Sequence, residues 1–165
     1  MIFKCILTCW FIGSMLMEPA AQKTFDPATD TIALGNARGS WKIMVPERLL
    51  ISSAQLVTSR LSAVHDVRIQ DIHAQPYLFF RGKDAEKPEF GYTLMIHLQE
   101  TTEGIWKAGG IYQACWGNAC SECGFDEYWG CSCERYDGPS DETAVSYCNH
   151  MITLGMGLMK IVAPK

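Results

Sequence analysis

Six cysteines crowd one short stretch near the end of this 165-residue chain. Thiols at this density are cross-linked as disulfides, hold a metal ion or an iron–sulfur cluster, or perform redox chemistry. Their spacing is C-x4-C-x2-C-x7-C-x-C-x14-C, and they are Cys115, Cys120, Cys123, Cys131, Cys133 and Cys148. The compartment of the protein discriminates between these uses, because disulfides persist only where the surroundings are oxidising.

Residues 1–21 have the composition of a secretory signal peptide. Lys4 gives a positive start, residues 5–17 are uncharged and mostly apolar, and small residues follow. The apolar run is shorter than the roughly 20 residues of a membrane-spanning helix, so we expect cleavage, with an uncleaved anchor as the alternative. Cleavage would also remove Cys5 and Cys9. The six cysteines that remain are an even number, which predicts disulfides in a secreted or periplasmic protein.

Strand and helix geometry restricts the pairing of these cysteines. Cys131 and Cys133 are two apart on a predicted strand, so both thiols point to one face, with Cα atoms roughly 6.6 Å apart. This separation is at the limit for a mutual bridge, which favours separate partners. Cys148 lies on the apolar stripe of a predicted helix and would tie that helix to the strands. The connectivity stays open, since six cysteines allow about 15 pairings.

The stretch Cys115-Trp-Gly-Asn-Ala-Cys120-Ser-Glu-Cys123 resembles the cluster-binding loop of plant-type [2Fe–2S] ferredoxins. That loop has the spacing C-x4-C-x2-C followed by a distant fourth cysteine. The resemblance implies that Cys115, Cys120 and Cys123 are cluster ligands and that Cys148 is the fourth. It also implies electron transfer as the function.

Two further uses of the thiols are open. Cys120 and Cys123, followed by a glycine, resemble a zinc knuckle, and Cys131 and Cys133 would complete a tetrahedral four-thiolate site. The same C-x2-C spacing occurs in thiol oxidoreductases, but those need a helix after the motif and a strand is predicted here. The disulfide hypothesis is our leading prediction, and it requires no cofactor.

Apolar periodicity predicts the elements that position the cysteines. Residues 46–64 begin with a proline and place five apolar residues on one helical face, and residues 141–162 repeat the pattern. Alternation at 90–98 predicts a strand, 105–115 the returning strand of a hairpin, and 125–135 a further strand. We therefore predict an α+β fold, with an amphipathic helix packed on an antiparallel meander sheet, a disulfide-rich module and a terminal helix.

Composition indicates one exported domain over residues 22–165, with residues 115–148 as its cysteine-rich module. The net charge is −4 and basic residues are scattered, which excludes a nucleic-acid partner. No nucleophile, metalloprotease or phosphate-binding motif is present. We therefore expect non-enzymatic binding of a protein or surface partner, without a stable membrane span after signal cleavage. Trp116 and Tyr128 are the candidate exposed patch, because such side chains anchor interfaces.

Overall fold

The computed structural model describes residues 30–36, 40–135 and 145–154. The predicted signal peptide lies outside the described residues. No helix within them is long and apolar enough to cross a membrane. In chain order the elements are β1 (Ala33–Asn36), β2 (Ser40–Ile43), α1 (Glu47–Val57), β3 (Leu61–Ile72), β4 (Gln75–Asp84), β5 (Gly91–Thr102), β6 (Ile105–Asn118), β7 (Cys120–Phe125), β8 (Cys131–Arg135) and β9 (Tyr147–Leu154).

One seven-stranded antiparallel sheet dominates the structure, in the order β2-β1-β6-β5-β4-β3, with β9 paired to β6. The long strand β6 has β5 along one edge. Along its other edge it pairs with β1 near Trp106 and with β9 between Ile111 and Asn118. The sheet curves until it is nearly closed. Strands β7 and β8 form a separate two-stranded unit, called the hairpin below.

The predicted α+β fold is wrong, because the structure is mostly antiparallel β with a single short helix in its described part. Helix α1 does begin after Pro46 but ends at Val57, where Thr58 turns to an extended conformation. Leu61, predicted on the helix, begins β3 and packs in the same core as Leu50. The apolar residues therefore kept their spacing of three and four beyond the end of α1, because the strand that follows packs against the same core.

The predicted second helix over 141–162 is also wrong in its described part, which is strand β9. Cys148 and Ile152 are four residues apart, an even spacing that places them on one face of a strand as well as of a helix. The β-branched Ile152 and Thr153 suit a strand. All eight residues of β9 pair with β6, so tertiary pairing decided between two conformations that the local pattern allowed.

Both faces of the sheet are covered, as the alternation of β5 illustrates. Tyr92 and Leu94 belong to the core beneath α1, whereas Met95 faces the hairpin. Burying one large apolar side chain contributes about 1.5–3 kcal/mol, so each layer is a substantial source of stability. The helix-side core contains Ile32, Leu50, Ala54, Leu61, Leu78, Phe80, Ile96, Leu98 and Ala114; the hairpin-side core contains Ile72, Tyr77, Phe79 and Met95, against which Phe125 and Trp129 pack.

Candidate binding cleft

Three disulfides hold the hairpin on the outer face of the sheet, and the predicted disulfide bonding is thereby confirmed. One bridge lies within the hairpin, one joins it to β6 and one joins it to β9. The pairs are Cys120–Cys133, Cys115–Cys131 and Cys123–Cys148, with Cα–Cα distances of 5.5, 5.8 and 6.3 Å. Cys131 and Cys133 therefore have separate partners. Cys148 ties a strand to the hairpin, where a helix was expected.

The backbone of β7 lies directly against the sheet. A Cβ atom on Gly91 would be 2.5 Å from the Cα of Glu122, so only glycine fits where the two strands cross. The Thr93 hydroxyl donates a hydrogen bond to the carbonyl of Cys123. Lys83 reaches Glu122 from β4, with Nζ and Oε1 3.0 Å apart. The position of the hairpin is thus fixed by polar contacts as well as by disulfides.

The sulfur atoms do not fit the metal-binding alternatives in this state. Sγ atoms of Cys120, Cys123 and Cys148 lie within 4.8 Å of one another, but metals and clusters are held by thiolates. Each of these sulfurs is engaged in a disulfide. Cys131, a ligand of the predicted zinc site, is bonded to Cys115, a ligand of the predicted cluster. The arrangement therefore provides cross-linking.

The turn between β7 and β8 fixes the side chain of Trp129. Asp126 Oδ1 accepts hydrogen bonds from the backbone N–H groups of Tyr128 and Gly130, both at 2.8 Å. Trp129 has a φ of +67°, in the left-handed region that bulky residues rarely adopt. Its ring meets Tyr77 edge-on, with ring centroids 4.9 Å apart. The single strand predicted across this stretch is wrong, because the Asp126 carboxylate stabilises a turn instead.

A cleft of about 380 Å³ lies between the hairpin turn and the sheet. Its size is within the range of small-ligand pockets. Strands β4, β5, β6 and β9 form its floor, and the Trp129 ring forms one wall. The residues that line it, called the cleft below, are Gln75, Tyr77, His97, Ile111, Gln113, Trp129, His150 and Ile152.

Burial keeps two titratable groups of the cleft uncharged at neutral pH. It lowers the pKa of His97 and raises the pKa of the Tyr77 phenol. The two rings are in contact, with centroids 5.1 Å apart. The His97 Nδ1 atom is buried without a hydrogen-bond partner among the described residues. The Tyr77 hydroxyl donates to Gln75 Oε1 at 3.1 Å.

Gln113 is the most central polar group of the cleft. Only 9% of this residue is exposed, and its Oε1 atom lies 2.9 Å from His150 Nε2. Since a carboxamide oxygen only accepts, the histidine nitrogen is the donor. The Phe125 ring contacts His150 edge-on at 5.6 Å between centroids, so the hairpin helps to position this pair. Such an aromatic and amide surface is suited to binding an uncharged group.

The two residues predicted to form a patch lie on different faces of the molecule. Trp116 belongs to the helix side, where it stacks on Tyr92 at 6.2 Å and lies under the Arg60 guanidinium at 4.8 Å. Tyr128 is 77% exposed on the hairpin turn, next to Trp129. The structure therefore does not bring the two residues together, and neither of them lines the cleft.

Sequence reasoning missed the cleft because its residues come from four strands and a turn. The available signal was the alternation of side chains along each strand, which puts Gln75 and Tyr77 on one face and likewise Ile111 and Gln113. Without the register between strands, this alternation does not identify which residues are neighbours in space. No protein-family model, curated protein or solved structure matches this chain.

Proposed function

We propose that this protein is an exported, disulfide-stabilised binding protein that holds a group of a partner protein in the cleft, without catalysing a reaction. The observation that carries this proposal is the cleft itself, in which aromatic and amide side chains converge beneath a disulfide-anchored wall. Rigid walls reduce the entropy lost on binding. Tyr128, the exposed neighbour of Trp129 in the chain, would extend the contact surface.

The side chains of the cleft support binding over catalysis. General acid–base or nucleophilic catalysis needs a positioned base beside the reacting group. His150 instead donates to a carboxamide oxygen and His97 contacts a phenol ring. Apolar Ile111 and Ile152 flank Gln113 on the same face of the sheet. Exposed apolar rims of this kind are typical of interaction sites.

The disulfides support an oxidising compartment, and we propose a secreted or periplasmic location. The three bridges span sequence separations of 13, 16 and 25 residues. All of them stabilise the wall of the cleft, because each involves at least one cysteine of the hairpin. Export would therefore serve the binding function directly, by allowing the wall to form.

Ile152→Arg tests whether partners dock at the cleft. Ile152 is 62% exposed, so the change should leave the fold intact while placing a charge at the apolar rim. We expect capture of partners from native extracellular extracts to fall about tenfold, equivalent to about 1.4 kcal/mol. Capture is quantified by mass spectrometry over a range of bait concentrations.

Leu56→Arg is the matched control for this substitution. Leu56 is 45% exposed on α1, on the opposite side of the sheet, and we expect its capture to equal that of the unmodified protein. Equal capture by both variants would exclude the cleft as the docking site. Thermal unfolding of both variants verifies that each has folded.

A thiol count tests the disulfide hypothesis against the metal or [2Fe–2S] alternative. That alternative concerns the same thiols, because three of the sulfur atoms lie close together. For native mature protein we expect no free thiol among the six cysteines and a mass deficit of six hydrogens, two for each of the disulfides. Thiol titration and intact mass measure both quantities. Visible absorbance, or zinc released with four thiols by a chelator, would refute the disulfide hypothesis.

A further inference from the structure

The cleft offers a ligand more hydrogen-bond donors than acceptors. The Gln75 Oε1 atom already accepts from the Tyr77 hydroxyl, and the Gln113 Oε1 atom accepts from His150. A carboxamide also carries two N–H donors. Each glutamine oxygen thus keeps one lone pair for a ligand, whereas neither N–H of its amide nitrogen has a partner among the described residues. This imbalance restricts the chemistry that the cleft accepts.

Gln113 provides the central donor. Its side chain is nine-tenths buried, and His150 fixes the orientation of its carboxamide. Its amide nitrogen has no hydrogen-bond partner among the described residues, yet it is not sealed from the cleft. In the free protein this N–H is therefore open to solvent from the cleft. An acceptor of a ligand would take the place of that solvent.

His97 provides a second donor. Burial lowers the pKa of His97 and so favours the neutral ring, in which one nitrogen carries the proton. Nδ1 is sealed without a partner within the described part of the chain. A buried N–H without a partner is rarer than an under-used acceptor, which places the proton on Nε2. Nε2 is not among the buried atoms that lack a partner, and His97 lines the cleft.

The remaining lining residues have aromatic, aliphatic, amide or imidazole side chains. None of the eight lining residues is Asp, Glu, Lys or Arg. A carboxylate or ammonium group would lose hydration there without a compensating charge. A sugar presents several hydroxyls that need acceptors as well as donors, and both carboxamide oxygens already accept one hydrogen bond. A carbonyl next to an apolar group meets both conditions, because it only accepts and carries no charge.

We propose that the cleft binds an uncharged amide carbonyl and the apolar side chain beside it, presented by an extended peptide segment. This inference rests on the proposed binding function and names its ligand class. The carbonyl accepts from Gln113 Nε2 and His97 Nε2. The adjacent side chain packs among Trp129, Ile111 and Ile152. Peptides carry these two groups side by side at every apolar residue.

Four small probes test the chemistry in solution with the full mature protein. N-acetyl-leucine N-methylamide presents the uncharged carbonyl, 4-methylpentanoate the anion without an amide, 3-methylbutanol a hydroxyl, and methyl glucoside a sugar. Binding is followed by NMR shifts of the Trp129 indole and of the Gln113 amide. We expect the amide to bind about tenfold more tightly than any of the other three.

The capped peptide Ac-Ala-Leu-Leu-Ala-NH2 tests the source of the carbonyl. We expect it to bind at least about tenfold more tightly than the single-residue amide. Equal affinity would indicate that the natural ligand is a small amide and would overturn the peptide assignment. Equal or tighter binding of the anion, alcohol or sugar would overturn the carbonyl assignment.

Gln113→Glu tests the central donor, because it keeps the oxygen near His150 and replaces the N–H donor by an acceptor. We expect amide binding to fall about tenfold, whereas Leu56→Arg leaves it unchanged. If Gln113→Glu fails to fold, His97→Phe removes the second donor with the same expected loss. Undiminished binding by the folded variant would overturn the proposal.

The probes separate failure of this inference from failure of the proposed function. If no amide or peptide binds while Ile152→Arg still abolishes partner capture, the ligand class is wrong and the cleft remains a docking site. If Ile152→Arg also leaves capture unchanged, both proposals fail.

Discussion

Replacing Cys123 and Cys148 together by alanine is expected to lower the free energy of unfolding by about 3 kcal/mol. This bridge closes the longest loop of the three, with a sequence separation of 25 residues. Cross-linking stabilises mainly by restricting the unfolded chain, and the effect increases with loop length. Alanine is the appropriate replacement, because Cys123 is buried and a serine hydroxyl there would lack a partner.

Chemical denaturation of the variant and of the unmodified protein, both with their other cysteines oxidised, measures this loss. Amide exchange then localises it. Cys148 lies in β9, which pairs only with β6 among the described strands, so we expect protection of β9 to fall most. A loss below about 1 kcal/mol would contradict the assigned role of the bridge.

The Cys120–Cys133 bridge is the control, because it lies within the hairpin and its sequence separation is 13 residues. Removing it should cost slightly less free energy, since loop entropy varies slowly with length. It should leave the protection of β9 unchanged, because Cys123–Cys148 still ties that strand to the hairpin. Equal exchange in both variants would show that the bridges stabilise the whole sheet without local effect.

The parts of the fold that sequence predicted correctly have local determinants. All but the first residue of the alternation from Phe90 to Leu98 lies in β5, because one face of that strand meets the helix-side core. Ile105–Asn118 returns beside it as the second strand of a hairpin. Pro46 precedes α1, as its fixed φ favours at a helix start. Each of these depends on residues that are close in sequence.

The α+β assignment failed where the determinants are distant. Even spacing in β9 suits either conformation, and the pairing of the whole strand with β6, which sets Ile152 opposite Gln113, favours the strand. The cleft depends on the same long-range register, which also places Tyr77 opposite His97. A strand register is set by the partner strands and by the turns. A shift of one residue in any of these strands would move its cleft side chains to the other face of the sheet.

Arg60→Leu is the second substitution with a large expected effect. Asp84 is fully buried, and its carboxylate is held by the Arg60 guanidinium through Nε at 3.3 Å and through Nη2. Removing the cation leaves the carboxylate with the backbone N–H of Glu86 as its remaining partner among the described residues. Breaking a buried pair on one side typically costs about 3–5 kcal/mol, and we expect a loss near the lower limit because Arg60 is partly exposed.

The substitution also removes a cation from the face of the Trp116 ring, 4.8 Å from its centroid. Denaturation monitored by tryptophan fluorescence would report both effects. The double variant Arg60→Leu with Asp84→Leu separates them, because it removes the stranded charge and leaves an apolar pair. We expect it to recover most of the stability lost by the single variant, since apolar replacements of buried ion pairs are often neutral.

Arg68→Leu is the matched control on the surface of β3, the strand that begins directly after Arg60. Its Nη1 atom lies 2.8 Å from Asp66 Oδ2, and both side chains are partly exposed. Exposed ion pairs contribute at most about 1 kcal/mol, so this loss should be a fraction of that at Arg60. Equal losses of stability at the two arginines would show that the burial of Asp84 does not account for the large effect of removing Arg60.

Because Asp84 N–H also bonds to the Phe90 carbonyl at 3.0 Å, a stranded carboxylate would loosen the loop that leads into β5. The loss at Arg60 should therefore appear in amide exchange at Gly91 and its neighbours, where the hairpin crosses the sheet.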